Sequence, residues 1–412
     1  MRRDKFKIFS EGAIGALRLP NRLVRSSTWD PSILGIRRVT DPVLDLYRAL
    51  ALGGVGLIIS GGLPVYRERF PGETSPDPRT YAELCVADID RLAQVVHTSG
   101  PGKIVAQLEV GYVDAGPSEH RSPFASRPVR PLTAPEIRQI VGCFVEAIVH
   151  MKVAGFDGVQ LHAAHGGLLS CFLSPYTNHR TDGYGGSAQN RVRMVSEIVG
   201  QAREQVGDWP ILIKLNCTDY VKGGIELDTF PELAHAVASA GVDAVELSGG
   251  MWDCLVRPEQ ELGFRPVPAP ESHTHLGSVR RQSYFLQYAK QLDLPVPVIL
   301  VGGNRDIERL EEIVQQGRVD FIALCRPLIH EPDLPLRWLE GRGSRRAACI
   351  SCNSCIYGLM VHPDEPEPGV VACLFKHDKR RYKLAQEWLS TWVEKNAVAP
   401  FLNGASLAKE LL

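Results

Sequence analysis

The sequence predicts an α/β fold, a (β/α)8 TIM barrel with a Cys-containing C-terminal extension, and three observations lead there. Eight short, apolar, β-branched runs recur over the first three quarters of the chain. Amphipathic stretches of helical period lie between them, the signature of parallel strands buried under helices. No G-x-G-x-x-G turn follows the first run, which counts against a dedicated dinucleotide domain. Eight such units fit a closed barrel better than an open doubly wound sheet.

The expected strands are, in order, Leu23–Ser27, Gly56–Ser60, Ile104–Leu108, Gly158–His162, Ile211–Asn216, Ala244–Ser248, Val298–Val301 and Phe321–Leu324. Helical patterns cover Pro135–Ala154, Asn190–Val206, Phe230–Ala240 and Arg305–Gln316, with Thr133 placed to cap the first. Gly53-Gly54-Val-Gly56 precedes a strand and reads as a helix stop. The expected division is a barrel over 1–340 and a Cys-cluster loop with a helical tail over 341–412. In that tail Leu384, Trp388 and Trp392 fall at helical spacing, as a docking face onto the barrel or a second subunit would.

With 44% apolar and 23% charged residues, the chain is of globular composition. A net charge of −1 provides no field of one sign for a nucleic-acid backbone. No stretch approaches the length of a membrane span, and no apolar segment follows the N-terminal arginines. The expectation is a cytoplasmic enzyme acting on a small molecule, bound to neither membrane nor nucleic acid.

Function in such a barrel sits at the C-terminal ends of the strands. The fourth strand ends in Val159-Gln-Leu-His162-Ala-Ala-His165. Two histidines at that spacing can donate hydrogen bonds to one oxygen or ligate a metal. Taken alone, the pair is as readily one structural and one exposed histidine.

The run FDGVQLHAAHGGLLSCFLSPYTNHRTDGYGGSAQNR, from Phe156 to Arg191, closely resembles the signature of the Old Yellow Enzyme family of NAD(P)H:flavin oxidoreductases. The likeness extends over the barrel, through Asn21-Arg22, Gln107, Lys214, Gly302-Gly303-Asn304 and Cys325-Arg326. The resemblance implies FMN as cofactor and NAD(P)H as reductant. It implies that Gly303, Asn304, Cys325 and Arg326 hold the FMN phosphate, where backbone N–H groups and a guanidinium are suitable donors. It assigns Gln107 to the flavin pyrimidine edge, Ser27, Thr28 and Gly62 to the ring, and Lys214 to the charge at N1/O2 of reduced flavin. His162 and His165 correspond to the pair that binds the substrate carbonyl and polarises it toward hydride attack. Members of the family are often dimers or larger, so a homo-oligomer is expected.

Two departures matter. Where the family carries a tyrosine that protonates the substrate's α-carbon, this chain has Gly167. Another tyrosine (Tyr66, Tyr112, Tyr220 or Tyr284) or solvent could serve, or the reaction is an isomerisation, a dehydrogenation or a demethylation. Ser27-Thr28-Trp29 also replaces the common Pro-Met-[Cys/Thr], so Thr28 or Trp29 is the side chain expected near flavin N5.

Cys349-x2-Cys352-x2-Cys355, with Cys373 beyond, has metal-ligand spacing that suits a [4Fe–4S] cluster or tetrahedral zinc. Iron–sulfur members of the family carry a similar cluster after the barrel, and a cluster here implies an electron-transfer partner. Two readings compete with the flavin enzyme: a metal-dependent barrel lyase using His162 and His165, with Glu109 or Asp219 as further ligands, and an inactive assembly protein.

Overall fold

Eight parallel strands close in sequence order into one barrel. They are β1 (Leu23–Arg25), β2 (Leu57–Pro64), β3 (Lys103–Glu109), β4 (Gly158–Ala163), β5 (Ile211–Asn216), β6 (Ala244–Ser248), β7 (Val298–Leu300) and β8 (Phe321–Leu324). The structure, a computed structural model, describes residues 6–28, 39–65, 86–110, 115–122, 128–264, 266, 269, 271–274, 276, 278–356 and 371–398. All eight expected strands are present, three with the expected bounds. β2 runs four residues further than expected because its register shifts between Ile59 and Gly62, which carries Gly62 opposite Gln107.

The helices follow from ordinary signals. Ala134–Val153 starts at Thr133, whose hydroxyl accepts from the Glu136 N–H while the Glu136 carboxylate accepts from the Thr133 N–H. Ala188–Val206 is capped by Ser187. Their apolar faces join the layer between barrel and helices, which holds Phe144, Ile148, Val195 and Ile198. A separate core fills the barrel interior: Val24, Leu57, Ile59, Val105, Leu212, Ala244, Ile299, Phe321 and Ala323.

The sequence reading missed an N-terminal hairpin, Gly12–Ile14 paired with Leu17–Leu19. Ile14, Leu17 and Leu19 join the interior core. They stop the barrel below β1, so the opening for a ligand is at the other end. Just before the hairpin, the Lys7 and Ile8 N–H groups donate to the Glu311 carboxylate at 2.7 and 2.9 Å, clasping the chain start to the helix Ile307–Gln315.

In the extension, Lys379–Val398 is one helix. Trp388 packs with Leu374, Tyr382 and Ala385, against the short helix Leu374–His377. Leu384 is exposed, and the Trp392 side chain lies outside the described residues. No helix among the described residues is long and apolar enough to cross a membrane.

Candidate active site

Polar side chains interrupt the apolar strands at alternate positions, and alternation aims them at one face. On β3, Val105 belongs to the barrel interior, so Gln107 and Glu109 point the same way, toward the mouth. Gln107 stands in register with Gln160 of β4, and His162 with Lys214 of β5, which in turn pairs with Glu246 of β6.

These residues form one hydrogen-bonded chain across the barrel. Ser27 Oγ donates to Gln107 Oε1 at 2.8 Å, and Gln107 Nε2 donates to Gln160 Oε1 at 2.8 Å. Gln160 Nε2 donates to Glu246 Oε2 at 2.7 Å. Ser26 Oγ donates to Glu246 Oε1 at 2.6 Å and accepts from Lys214 Nζ at 2.9 Å, and Lys214 Nζ lies 2.8 Å from Glu246 Oε1. Buried polar groups are costly unless satisfied, and a fully satisfied network locks its members in place. Gln160, Glu246 and Ser26 were not anticipated. Their signal was a polar residue at every second place in V-Q-L-H and V-E-L-S.

The two predicted histidines come together, with ring centroids 5.2 Å apart. His165 takes a left-handed backbone, φ 59°, that non-glycine residues adopt only when held there. Asn216 Oδ1 accepts its N–H at 3.2 Å, and its Nε2 is 2.7 Å from Ser248 Oγ. His162 Nδ1 is buried with no hydrogen-bond partner among the described residues, while its Nε2 lies 3.9 Å from Glu109 Oε2. Burial holds the His162 pKa well below the usual imidazole range, with His165 and Lys214 adding to it. Burial and then Lys214 push His165 down to about 3. Both rings are therefore neutral at ordinary pH, and burial raises Glu109 to about 7.

Beside the histidines the strand ends surround a cavity. Ser26, Ser27, His165, Lys214, Gly302, Gly303, Asn304, Cys325 and Arg326 all line it. Of the other predicted cofactor residues, Gly62 lies against the Glu109 carboxyl, Gln107 sits in the polar chain, and Thr28 Oγ1 is 3.2 Å from Cys325 Sγ. A Cβ at Gly302, where φ is 110°, would meet Phe285 and Tyr284 at 2.8 Å. Only glycine keeps that wall of the cradle open.

Side chains in the predicted phosphate region have more specific roles than anticipated. Asn304 Nδ2 donates to the Leu300 and Ala323 carbonyls, tying β7 to β8, so only its backbone is left for a ligand. Arg326 Nη1 donates to the His273 carbonyl and to Asn353 Oδ1. Arg305 donates to the Cys349 carbonyl and Ser351 Oγ. The cavity wall is thereby fastened to the cysteine loop.

Among the tyrosines weighed as proton donors, Tyr284 lines the cavity but donates to the Glu271 carbonyl at 2.7 Å. Tyr220 Oη is 3.3 Å from His273 Nε2. Tyr66, Tyr112 and Trp29 lie outside the described residues.

The four C-terminal cysteines line one cavity together with Arg326 and Ile329. Burial pushes the Cys355 thiol up, and His330 Nδ1 is 3.1 Å from Cys373 Sγ. Among the described residues, however, no three His, Cys, Asp or Glu side chains are arranged to hold a metal ion.

The donor set suits FMN. It combines an open glycine cradle with a buried lysine and arginine suited to anionic charge, next to an imidazole nitrogen of His162 that has no hydrogen-bond partner among the described residues. Comparison with known proteins agrees. A NADH oxidase of Thermoanaerobacter brockii is 35% identical over 368 residues, covering 85% of this chain and 54% of that protein. The chain thus spans about half the length of that relative. An NADPH dehydrogenase of Listeria welshimeri is 30% identical over 344 residues, covering 79% of this chain and 92% of that protein. A 2-naphthoyl-CoA reductase structure shares the fold, with a TM-score of 0.70 at 24% identity over 84% of this chain and 54% of that one. Residues 7–344 match the NADH:flavin oxidoreductase / NADH oxidase family, and the chain belongs to it.

Proposed function

We propose that the barrel, residues 1–340, binds FMN and passes a hydride from NAD(P)H to a conjugated or cyclic carbonyl compound. The observation that carries this reading is the buried, unpartnered His162 Nδ1 beside His165, next to the cavity with the Gly302-Gly303 cradle. When bound, FMN supplies a carrier that accepts two electrons from NAD(P)H and releases them as a hydride. The protein's own residues do the rest. Arg326, Cys325 and the Gly303-Asn304 backbone hold the phosphate, Gln107 and Gly62 align the ring, and Lys214 offsets negative charge at its pyrimidine end. His162 and His165, both neutral, donate to the substrate carbonyl oxygen. Charge that develops on that oxygen in the transition state is worth a few kcal/mol when met by preorganised donors.

The proposal extends to the tail, residues 341–412, on the metal-ligand spacing of Cys349, Cys352, Cys355 and Cys373 and their place around one cavity. Although these thiols are not arranged as ligands among the described residues, they would gather around a metal, iron–sulfur or zinc, and an iron–sulfur cluster would call for an electron-transfer partner. The metal-dependent lyase reading has no support, because among the described residues His162 and His165 have no third ligand in place.

The purified protein is expected to show flavin absorbance, to release FMN on denaturation, and to oxidise NADH or NADPH with 2-cyclohexenone as acceptor. A colourless protein that takes up no added FMN would sink the reading. FMN bound without turnover of any enone would move it to the dehydrogenase or isomerase chemistry that Gly167 leaves open.

A further inference from the structure

Gly167 leaves the site without a phenol beside His162. It precedes the short helix Leu168–Leu173, and a Cβ there would lie 3.9 Å from His162 Cδ2 and 3.2 Å from the Val110 carbonyl. A side chain at 167 would therefore have stood next to this imidazole. The carboxyl that occupies this neighbourhood belongs to Glu109. It closes β3 on the face that points into the mouth, and its Oε2 is 3.9 Å from His162 Nε2. Its side chain is only 19% exposed. The strand opposite makes room for it, since a Cβ on Gly62 would stand 2.4 Å from the carboxyl. No ion pair neutralises Glu109 among the described residues. Among the described residues its ion-pair-type neighbour is His162, too far for a hydrogen bond.

We propose that Glu109 is the proton donor to the substrate's α-carbon, in place of the phenol that position 167 lacks. This rests on the enone-reductase reading above. With a flavin reductant supplying the hydride at the β-carbon, the C=C π pair takes the Glu109 proton at the α-carbon. One O–H bond breaks and one C–H bond forms, and the resulting carboxylate regains its proton from solvent at the mouth. The groups around Glu109 favour the protonated form. β2 offers uncharged Gly62, and β4 offers His162, itself kept neutral by burial, His165 and Lys214. Burial accordingly raises the Glu109 carboxyl to about 7, near the value a general acid needs.

The test compares wild type, Glu109→Gln and Glu109→Asp, each loaded with FMN. Glu109→Gln should keep flavin reduction by NAD(P)H and reoxidation by benzoquinone, whose oxygens exchange protons with solvent. It should slow reoxidation by 2-cyclohexenone roughly 10²–10⁴-fold, the range for loss of a general acid. In wild type that rate should fall as pH rises through about 7, in Glu109→Gln this limb should be absent, and Glu109→Asp should recover part of the rate. Independently of turnover, the infrared difference between wild type and Glu109→Gln without flavin should show one protonated carboxyl ionising near pH 7. Equal 2-cyclohexenone rates in wild type and Glu109→Gln overturn the proposal. So does a Glu109 carboxyl that ionises in the ordinary range. Wild type that binds FMN but reduces no enone defeats the reading of the substrate instead, and leaves the infrared titration to decide where the proton sits.

Discussion

Lys214 Nζ lies 2.8 Å from Glu246 Oε1 on the neighbouring strand, with the two side chains 4% and 0% exposed. A cation this deep needs its partner, and the partner needs the cation. Glu246 also accepts from Gln160 and Ser26, so it fixes the depth at which the ammonium stands under the cavity. Removing either partner alone, by Glu246→Gln or Lys214→Met, should destabilise the protein by about 3–5 kcal/mol. The double variant should be less destabilised than the sum of the two. Urea unfolding of the four proteins gives the coupling directly, and additive losses would mean the pair is not coupled.

Gly302 should be intolerant of any side chain. Gly302→Ala places a methyl against Phe285 and Tyr284 at a left-handed φ of 110°. The conformation alone costs roughly 1–2 kcal/mol. FMN affinity, read by fluorescence titration of the flavin-free protein, should fall at least about tenfold. Unchanged affinity would place the phosphate elsewhere.

His165 should make the protein acid-sensitive in a defined window. Its pKa is about 6.5 when unfolded and about 3 when folded. The stability this residue contributes is therefore fully present above pH 6.5 and is lost as pH falls toward 3. The loss should reach at most a few kcal/mol. Stability measured against pH should be flatter over that window in His165→Gln, and parallel curves for the two proteins would contradict the assigned burial.

Protein purified without air should carry iron with sulfide, or zinc, and Cys355→Ala should lose it. Metal and sulfide analysis on the two proteins settles the point. A folded, metal-free wild type with all four thiols open to alkylation would show that the cavity between them holds nothing.

Parallel strands covered on both faces are near-continuous apolar runs, which is why β5, β6 and β8 were legible to the residue. The N-terminal hairpin was not, because three-residue strands carry too little pattern to stand out. At the site, the histidine pair and the glycine cradle could be placed because they sit in a motif with fixed spacing. Gln160 and Glu246 left only a polar residue at every second place as a local signal; that they meet each other is set by register between strands, a relation across the barrel. Arg326 illustrates the same limit from the other side: its position was anticipated, but its bonds to His273 and Asn353 depend on loops distant in sequence.

The seam between β8 and β1 joins Ile322 to Leu23 and Leu324 to Arg25, and the Glu311 clasp on Lys7 and Ile8 spans nearly the same interval. During synthesis, then, the first strand emerges long before the strand that closes on it. Until residue 324 has left the ribosome, β1 has only β2 to pair with and its other edge is open, and Ile14, Leu17 and Leu19 have no complete ring to plug. Closure is thus a late, long-range event that shapes cavity and stopper together.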